Sequence, residues 1–262
     1  MSKNRIHIVW KILLGLLVTG VLVASYILGY DKRKELHCNH IDISIEDSLW
    51  LQYLSSEDIR QHISADYGTI IGLQIDKIDL QKIESILNKK DGIFNSEAFI
   101  TNKGTLKVNI QQRKPIIRFQ TRDYGFYCDQ YGILFPLKEN FSCEAILIDG
   151  HIPLDTDDCR NGAPISPDDS LWLEETLRMV ERINSSDLWK ERIAQIHYDE
   201  SGQISIKPKE GDEEFLFGHL TDIDAKFEKM KIYYEMIAPS KEEEAYNVVD
   251  LRYRKQIVCK KQ

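Results

Sequence analysis

Between Lys11 and Asp31 the chain runs through 19 residues, Ile12 to Tyr30, without a single charge. As a helix rising about 1.5 Å per residue, the run reaches roughly 28 Å, close to the hydrocarbon thickness of a bilayer. It predicts one transmembrane helix at 12–30. That helix separates a short N-terminus, residues 1–11, from everything after Asp31. Val23-Ala24-Ser25 has the small residues a signal peptidase accepts. The apolar run nevertheless continues through Tyr26, Ile27 and Leu28 and outlasts a signal core of about 7–15 residues, which argues for an anchor that is kept. Lys3, Arg5 and Lys11 precede it, while Lys32, Arg33 and Lys34 follow it. The flanking charges therefore orient it only weakly, because Asp31 and Glu35 count for little in the positive-inside rule.

The remainder of the 262 residues suffices for one large or two modest domains. Lys and Arg total 34 against 42 Asp and Glu, and three of the basic residues but none of the acidic ones precede Asp31. An acidic remainder lacks the basic footprint of a nucleic-acid binder. Cys38, Cys128, Cys143, Cys159 and Cys259 are odd in number and too scattered for a disulfide framework. In an oxidising compartment Cys143 and Cys159, which flank one Pro- and Asp-containing loop, are the pair to test. Free thiols are the simpler reading.

After Cys38, Ile41, Ile43 and Ile45 alternate with Asp42, Ser44 and Glu46, the pattern of a strand with one buried face. Ser55 and Asp58 have capping-box spacing before Ile59 and Ile63, which starts a short helix to about Asp66. Asp79 caps a second helix with Leu80, Ile83 and Leu87 on one face. Two strands follow, 93–101 and 106–112, around the turn Asn102-Lys103-Gly104-Thr105. The order β-α-α-β-β over 38–112 makes a complete α+β unit.

Beyond it, 116–119 and 127–135 read as strands around turns at Asp123-Tyr124-Gly125 and Tyr131-Gly132, 145–148 reads as another strand, and 153–167 reads as loop. A helix over 168–184 carries Leu173, Leu177, Val180 and Ile183 on one face, with Ser166 or Asp168 as cap. Strands at 193–198, 203–207 and 213–217 lead to a helix over 222–238 with Ile223, Phe227, Met230, Tyr234 and Ile237 at helical spacing. Lys241 to Glu244 is a charged link. Asn247 to Cys259 alternates as one last strand, with Val249, Leu251, Tyr253, Ile257 and Cys259 on one face. The whole is a β-rich second domain, 113–259, with flanking helices and a tail at 260–262.

One anchor, β-α-α-β-β, the step Gln112-Arg113-Lys114-Pro115, the aromatic and glycine run Tyr124 to Pro136, and the final Val249-Asp250-Leu251-Arg252-Tyr253 together resemble the FtsQ/DivIB family of bacterial cell-division proteins. The resemblance implies that 38–112 is a POTRA domain and that Arg113-Lys114-Pro115 leads into the second domain. It implies a non-enzymatic divisome scaffold of the inner membrane, N-terminus cytoplasmic and domains extracytoplasmic at the septum. The terminal strand in that family offers its edge to FtsB, and with it FtsL, by strand addition. Physically, an unpaired strand edge is a template for another chain. Aligned on that strand, Tyr253, Lys255 and Gln256 are the expected partner contacts, with Arg252, Arg254 and Ile257 as neighbours. After Tyr253 this chain departs from the family, where small residues follow.

No Gly-rich phosphate loop, G-x-S-x-G elbow, H-E-x-x-H or C-x-x-C occurs. His37-Cys38-Asn39-His40 supplies three donors where a structural zinc takes four, and reads as an exposed juxtamembrane linker. Asp155 to Gly162 lacks the ligand alternation of an EF-hand and reads as a surface loop. No catalytic residue, cofactor, metal or small-molecule substrate is expected. The competing class is an anchored extracytoplasmic enzyme or secretion-pathway component carrying a POTRA module.

Overall fold

The computed structural model describes residues 10–11, 13–25, 36–47, 51–139, 141–154, 157, 159–160, 162–240 and 246–261. Residues 13–25 are helical, and Leu13, Leu14, Leu17 and Leu22 on that segment are exposed. Residue 12 and residues 26–30 of the expected anchor lie outside the described residues, as do 1–9 and the link 241–244. Among the described residues no helix is long and apolar enough to cross a membrane.

The architecture is α+β in two compact units, 1–112 and 113–262. The first contains β1 (His40–Ile45), α1 (Ser56–Asp66), α2 (Leu80–Leu87), β2 (Ile93–Ile100) and β3 (Thr105–Gln112). Ser55 Oγ accepts from the Asp58 N–H while the Asp58 carboxylate accepts from the Ser55 N–H, so α1 begins in a full capping box. Asp79 caps α2 through the Lys82 N–H at 2.9 Å. The three strands lie in the order β1-β3-β2. β1 runs parallel to β3 with Ile43 opposite Val108, a pairing that needs the long helical crossover between them. Ile59, Ile63, Ile83 and Leu87 from the helices and Leu106, Val108 and Ile110 from β3 are buried.

His37 to His40 is folded rather than a linker. Cys38 is 1% exposed and its N–H donates to Leu73 O at 2.8 Å, while His37 bridges to Gln74. The small apolar thiol fills a core position, and the backbone around it takes up the hydrogen bonds of the 70–74 turn.

The second unit is a nine-stranded sheet in the order β14-β13-β12-β11-β10-β7-β4-β5-β6. Its strands are β4 (Pro115–Gln120), β5 (Gly125–Asp129), β6 (Leu134–Pro136), β7 (Ile146–Gly150), β10 (Ile193–Tyr198), β11 (Ile204–Pro208), β12 (Glu214–Gly218), β13 (Val248–Asp250) and β14 (Val258–Lys260). Alternate residues such as Ile117, Phe119, Ile148, Ile196, Ile206, Phe215, Phe217 and Val249 form a single core. Against them pack Leu173, Met179, Val180 and Ile183 of α3 (Pro167–Asn184), Trp189 of α4 (Asp187–Arg192), and Phe227 and Met230 of α5 (Ile223–Ile232). Both long helices thus cover one face, and the other carries polar residues such as Arg118, Asp149, His197 and Ser205, with Tyr127 and Phe135 buried beside each other at its β5–β6 end.

Arg113 opens this unit in an ion pair with Asp129, Nη1 to Oδ2 at 2.6 Å. Asp129 Oδ1 in turn accepts from the Tyr131 and Ile133 N–H groups at 2.9 and 3.0 Å. The Arg-x-Pro step is therefore tied to the β5–β6 turn by one buried carboxylate.

Four stretches differ from expectation. Within 153–167, Cys159–Arg160 (β8) and Ala163–Pro164 (β9) form a small hairpin. Its Gly162 carbonyl accepts from the Leu134 N–H at 2.7 Å, which covers β6 at one end of the large sheet; residues 155, 156, 158 and 161 of the expected surface loop lie outside the described residues. The helix expected over 222–238 is α-helical only through Ile232, then opens into a π turn, Tyr233–Ile237. There Tyr233 meets Phe215 edge to face and Tyr234 packs on the same ring at a tilt. Helix α4, which places Trp189 in the core, was not anticipated.

The fourth difference bears on function. Asn247 to Cys259 is not one strand but a hairpin, β13 and β14 paired antiparallel with Val249 opposite Cys259. β13 pairs parallel with β12, and Leu251 N still donates to Leu216 O at 3.0 Å. β12 stops at Gly218, whose φ is +74°. With no neighbour left to pair with, the charged run 252–256 turns out into solvent and brings the chain back.

Candidate functional site

The sheet's two ends are unlike. β6 is covered by the 159–164 hairpin, whereas among the described residues no strand lies beyond β14. The β13–β14 turn therefore stands beside the sheet end on which a further strand can be added.

The side chains of Asp250, Arg252, Gln203 and Lys229 hold this turn. The Asp250 carboxylate, 2% exposed, accepts from Arg252 Nε at 2.9 Å and Nη2 at 2.7 Å, and from the Arg252 N–H at 3.1 Å. The hydrogen bonds from Arg252 hold the Asp250 carboxyl below its ordinary value of 3.8, against the opposing effect of burial. Arg252 Nη1 also reaches Gln203 Oε1 at 2.9 Å. Its aliphatic stem lies on Gly218, where a Cβ would come within 2.9 Å of Arg252 Cγ. From α5, Lys229 Nζ donates to Leu251 O at 2.9 Å and to Tyr253 O. Lys226 Nζ donates to His219 O at 2.7 Å and lies 4.9 Å from the Phe217 ring centroid, with burial pulling its pKa down.

Between the turn and α5 lies a cleft of about 240 Å³, with Gln203, His219, Lys226, Lys229, Arg252 and Arg254 in its lining. Asp222 lines the same opening, and Arg252 is already paired with Asp250, so Arg254 is the exposed cation on the turn side of the cleft. Of the residues expected to contact a partner, Arg252, Tyr253, Arg254, Lys255 and Gln256 sit together, exposed, on this one turn, Tyr253 at 49%. Ile257 is half-buried and packs on the core. They flank a terminal strand rather than form it. Lys226 and Lys229 are not marked by the apolar stripe of α5, which reports only the core-facing side of the helix. Their own three-residue spacing on an adjacent face was the available signal.

A row across the polar face of the sheet has the residue types of a hydrolytic triad. Asp149 Oδ1 lies 2.9 Å from His197 Nδ1, and Ser205 stands opposite His197 on β11. Ser205 Oγ, however, donates its only proton to Glu214 Oε1 at 2.6 Å, so it has none to give the imidazole. Gln195 Nε2 holds the other Asp149 oxygen at 2.8 Å. The row is a hydrogen-bonded sheet surface and does not form an activated nucleophile. Among the described residues no group of three His, Cys, Asp or Glu side chains is placed to hold a metal ion.

A small β-α-α-β-β unit precedes an extended sheet that ends on a short strand. Sequence comparison agrees for both halves: residues 36–111 match a POTRA-like domain, and residues 114–260 match the family described as FtsQ/DivIB, C-terminal related. The second match spans more than half of the chain, and the chain belongs to the FtsQ/DivIB family. The resemblance carried by Arg113-Lys114-Pro115 and Val249 to Tyr253 was thus correct. The family ties the protein to a non-enzymatic, division-associated scaffold role. No curated protein matches the chain in sequence.

Proposed function

We propose that this protein is a single-pass scaffold of the bacterial divisome that recruits FtsB- and FtsL-type partners by strand addition next to β14. The observation that carries the reading is the asymmetry of the nine-stranded sheet: one end is closed by the Gly162 hairpin, and the other finishes on a three-residue strand. A strand added there gains main-chain hydrogen bonds, while the exposed turn residues Tyr253, Lys255 and Gln256 supply side-chain contacts. Arg252 and Arg254 favour an acidic partner and oppose self-pairing of this basic edge. The uncharged run 12–30 supports an anchor in the inner membrane, with residues 1–11 cytoplasmic and both units outside at the septum.

Depletion and rescue test the reading. Cells lacking the protein should grow as filaments. The full chain should restore septation, and a chain ending at Ile257 should reach the membrane yet fail to recruit partners. Normal septation on depletion, or full rescue by the shortened chain, contradicts it.

A further inference from the structure

Lys226 and Lys229 lie three residues apart on α5, and each sends its ammonium to a carbonyl beyond the C-terminal end of a strand. Lys226 serves His219 O, one residue past β12; Lys229 serves Leu251 O and Tyr253 O, past β13. β12 and β13 run parallel, so these ends lie side by side where the ladder stops. Carbonyls that leave a ladder in a buried place need donors, and Leu251 is fully buried.

Among the described residues, side chains tie the rest of the turn at its two ends. Arg252 ties its start to Asp250 and Gln203, and Ile257 packs its finish on the core. Arg254, Lys255 and Gln256 are exposed. Lys229 reaches the main chain of the turn from a separate helix, itself seated through Phe227 and Met230.

We infer that Lys229 is a positioning residue: by holding the carbonyls of Leu251 and Tyr253 it fixes the path of residues 251–257 and so sets where β14 stands at the end of the sheet. The clamp rests on geometry alone, and its consequence for partner capture rests on the recruitment reading above. Methionine at 229 keeps the helix and the apolar stem but donates nothing. Arginine keeps both charge and donors. Lys231, exposed on the same helix and 3.9 Å from Glu235, is the control for loss of one charge.

The test is amide hydrogen exchange on the full chain as wild type, K229M, K229R and K231M, with partner crosslinking from position 260 in the same four. For K229M, exchange over 251–260 should rise about tenfold or more, as expected when a buried acceptor loses its donor, while β10 and β11 stay at wild-type rates. K229R and K231M should match wild type. Wild-type exchange over 251–260 in K229M overturns the clamp, and so does an equal rise throughout the sheet, which would mark general destabilisation. Crosslinking should fall in K229M and return in K229R. A loosened turn with undiminished crosslinking overturns the link to recruitment. A wild-type chain that captures nothing counts against the recruitment reading, and the exchange result still decides the clamp.

Discussion

Asp250 and Arg252, two residues apart at the end of β13, close a two-pronged ion pair in which the carboxylate is buried and the guanidinium is 43% exposed. The pair turns the Asp-Leu-Arg-Tyr segment into a bend: Leu251 between them goes fully into the core, and Tyr253 beyond them comes out. Because the hydrogen bonds from Arg252 lower the Asp250 pKa, the pair stabilises the fold above pH 3.8 and loses that contribution as pH falls below this value, through the folded-state pKa. Asp250→Asn should cost about 1–2 kcal/mol at neutral pH, a modest figure because water already screens half of Arg252. Urea unfolding as a function of pH checks this, and the gap between variant and wild type should close only in the acid range.

Gly162 has φ +80°, and a Cβ there would meet the Leu134 carbonyl oxygen. Gly162→Ala should destabilise the second unit by about 1–3 kcal/mol through the backbone conformation and the collision together. It should also raise hydrogen exchange at the Leu134 amide, which Gly162 O now holds. With β6 uncovered, light scattering should detect self-association that the wild type does not show.

The cysteines should react in a fixed order. Cys38 and Cys128 are buried, and burial pushes the Cys128 thiol far up, with Asp129 adding to the effect. Cys143 is raised by burial too, against an opposing hydrogen bond from Tyr127. Since the thiolate is the reactive form, the half-buried Cys143, Cys159 and Cys259 should label before Cys38 and Cys128, which should react only on unfolding. Mass mapping after timed alkylation at neutral pH reads the order directly.

Gln112 is buried on the core face of β3 and serves three main-chain groups. Its Oε1 accepts from the Leu54 N–H at 2.8 Å, and its Nε2 donates to Leu51 O at 2.7 Å and Glu46 O at 3.2 Å. Gln112→Leu fills the space but strands those groups, and should cost about 2–4 kcal/mol. The loss should appear as faster exchange over β1–β3, with the second unit unchanged.

Much of this was readable beforehand for local reasons. The capping box at Ser55 and Asp58, the Asp79 cap and the Gly104 turn act within a few residues, and each formed where its sequence placed it. The final strand misled because alternation from Val249 to Cys259 reports which faces are apolar and not whether a neighbouring strand is present. β12 ends at Gly218, thirty-odd residues earlier in the chain, and that ending decides where β13 must stop. The carbonyl-holding lysines of α5 were hidden for the same reason: their partners lie on other elements, and a polar residue on a helix looks solvated until the fold brings an acceptor to it. His37 to His40 shows the converse, since Cys38 reads as a metal donor in sequence and packs as a small apolar residue in the core.

The most direct test of the recruitment account is site-specific photo-crosslinking in dividing cells. A photoreactive residue is placed in turn at Tyr253 and Lys260, with Arg118 and Lys207 on the polar sheet face as exposed controls. The account predicts one adduct with a small FtsB-type membrane protein from positions 253 and 260, and none from 118 and 207. No adduct from 253 and 260, or the same adduct at equal yield from all four positions, would contradict it.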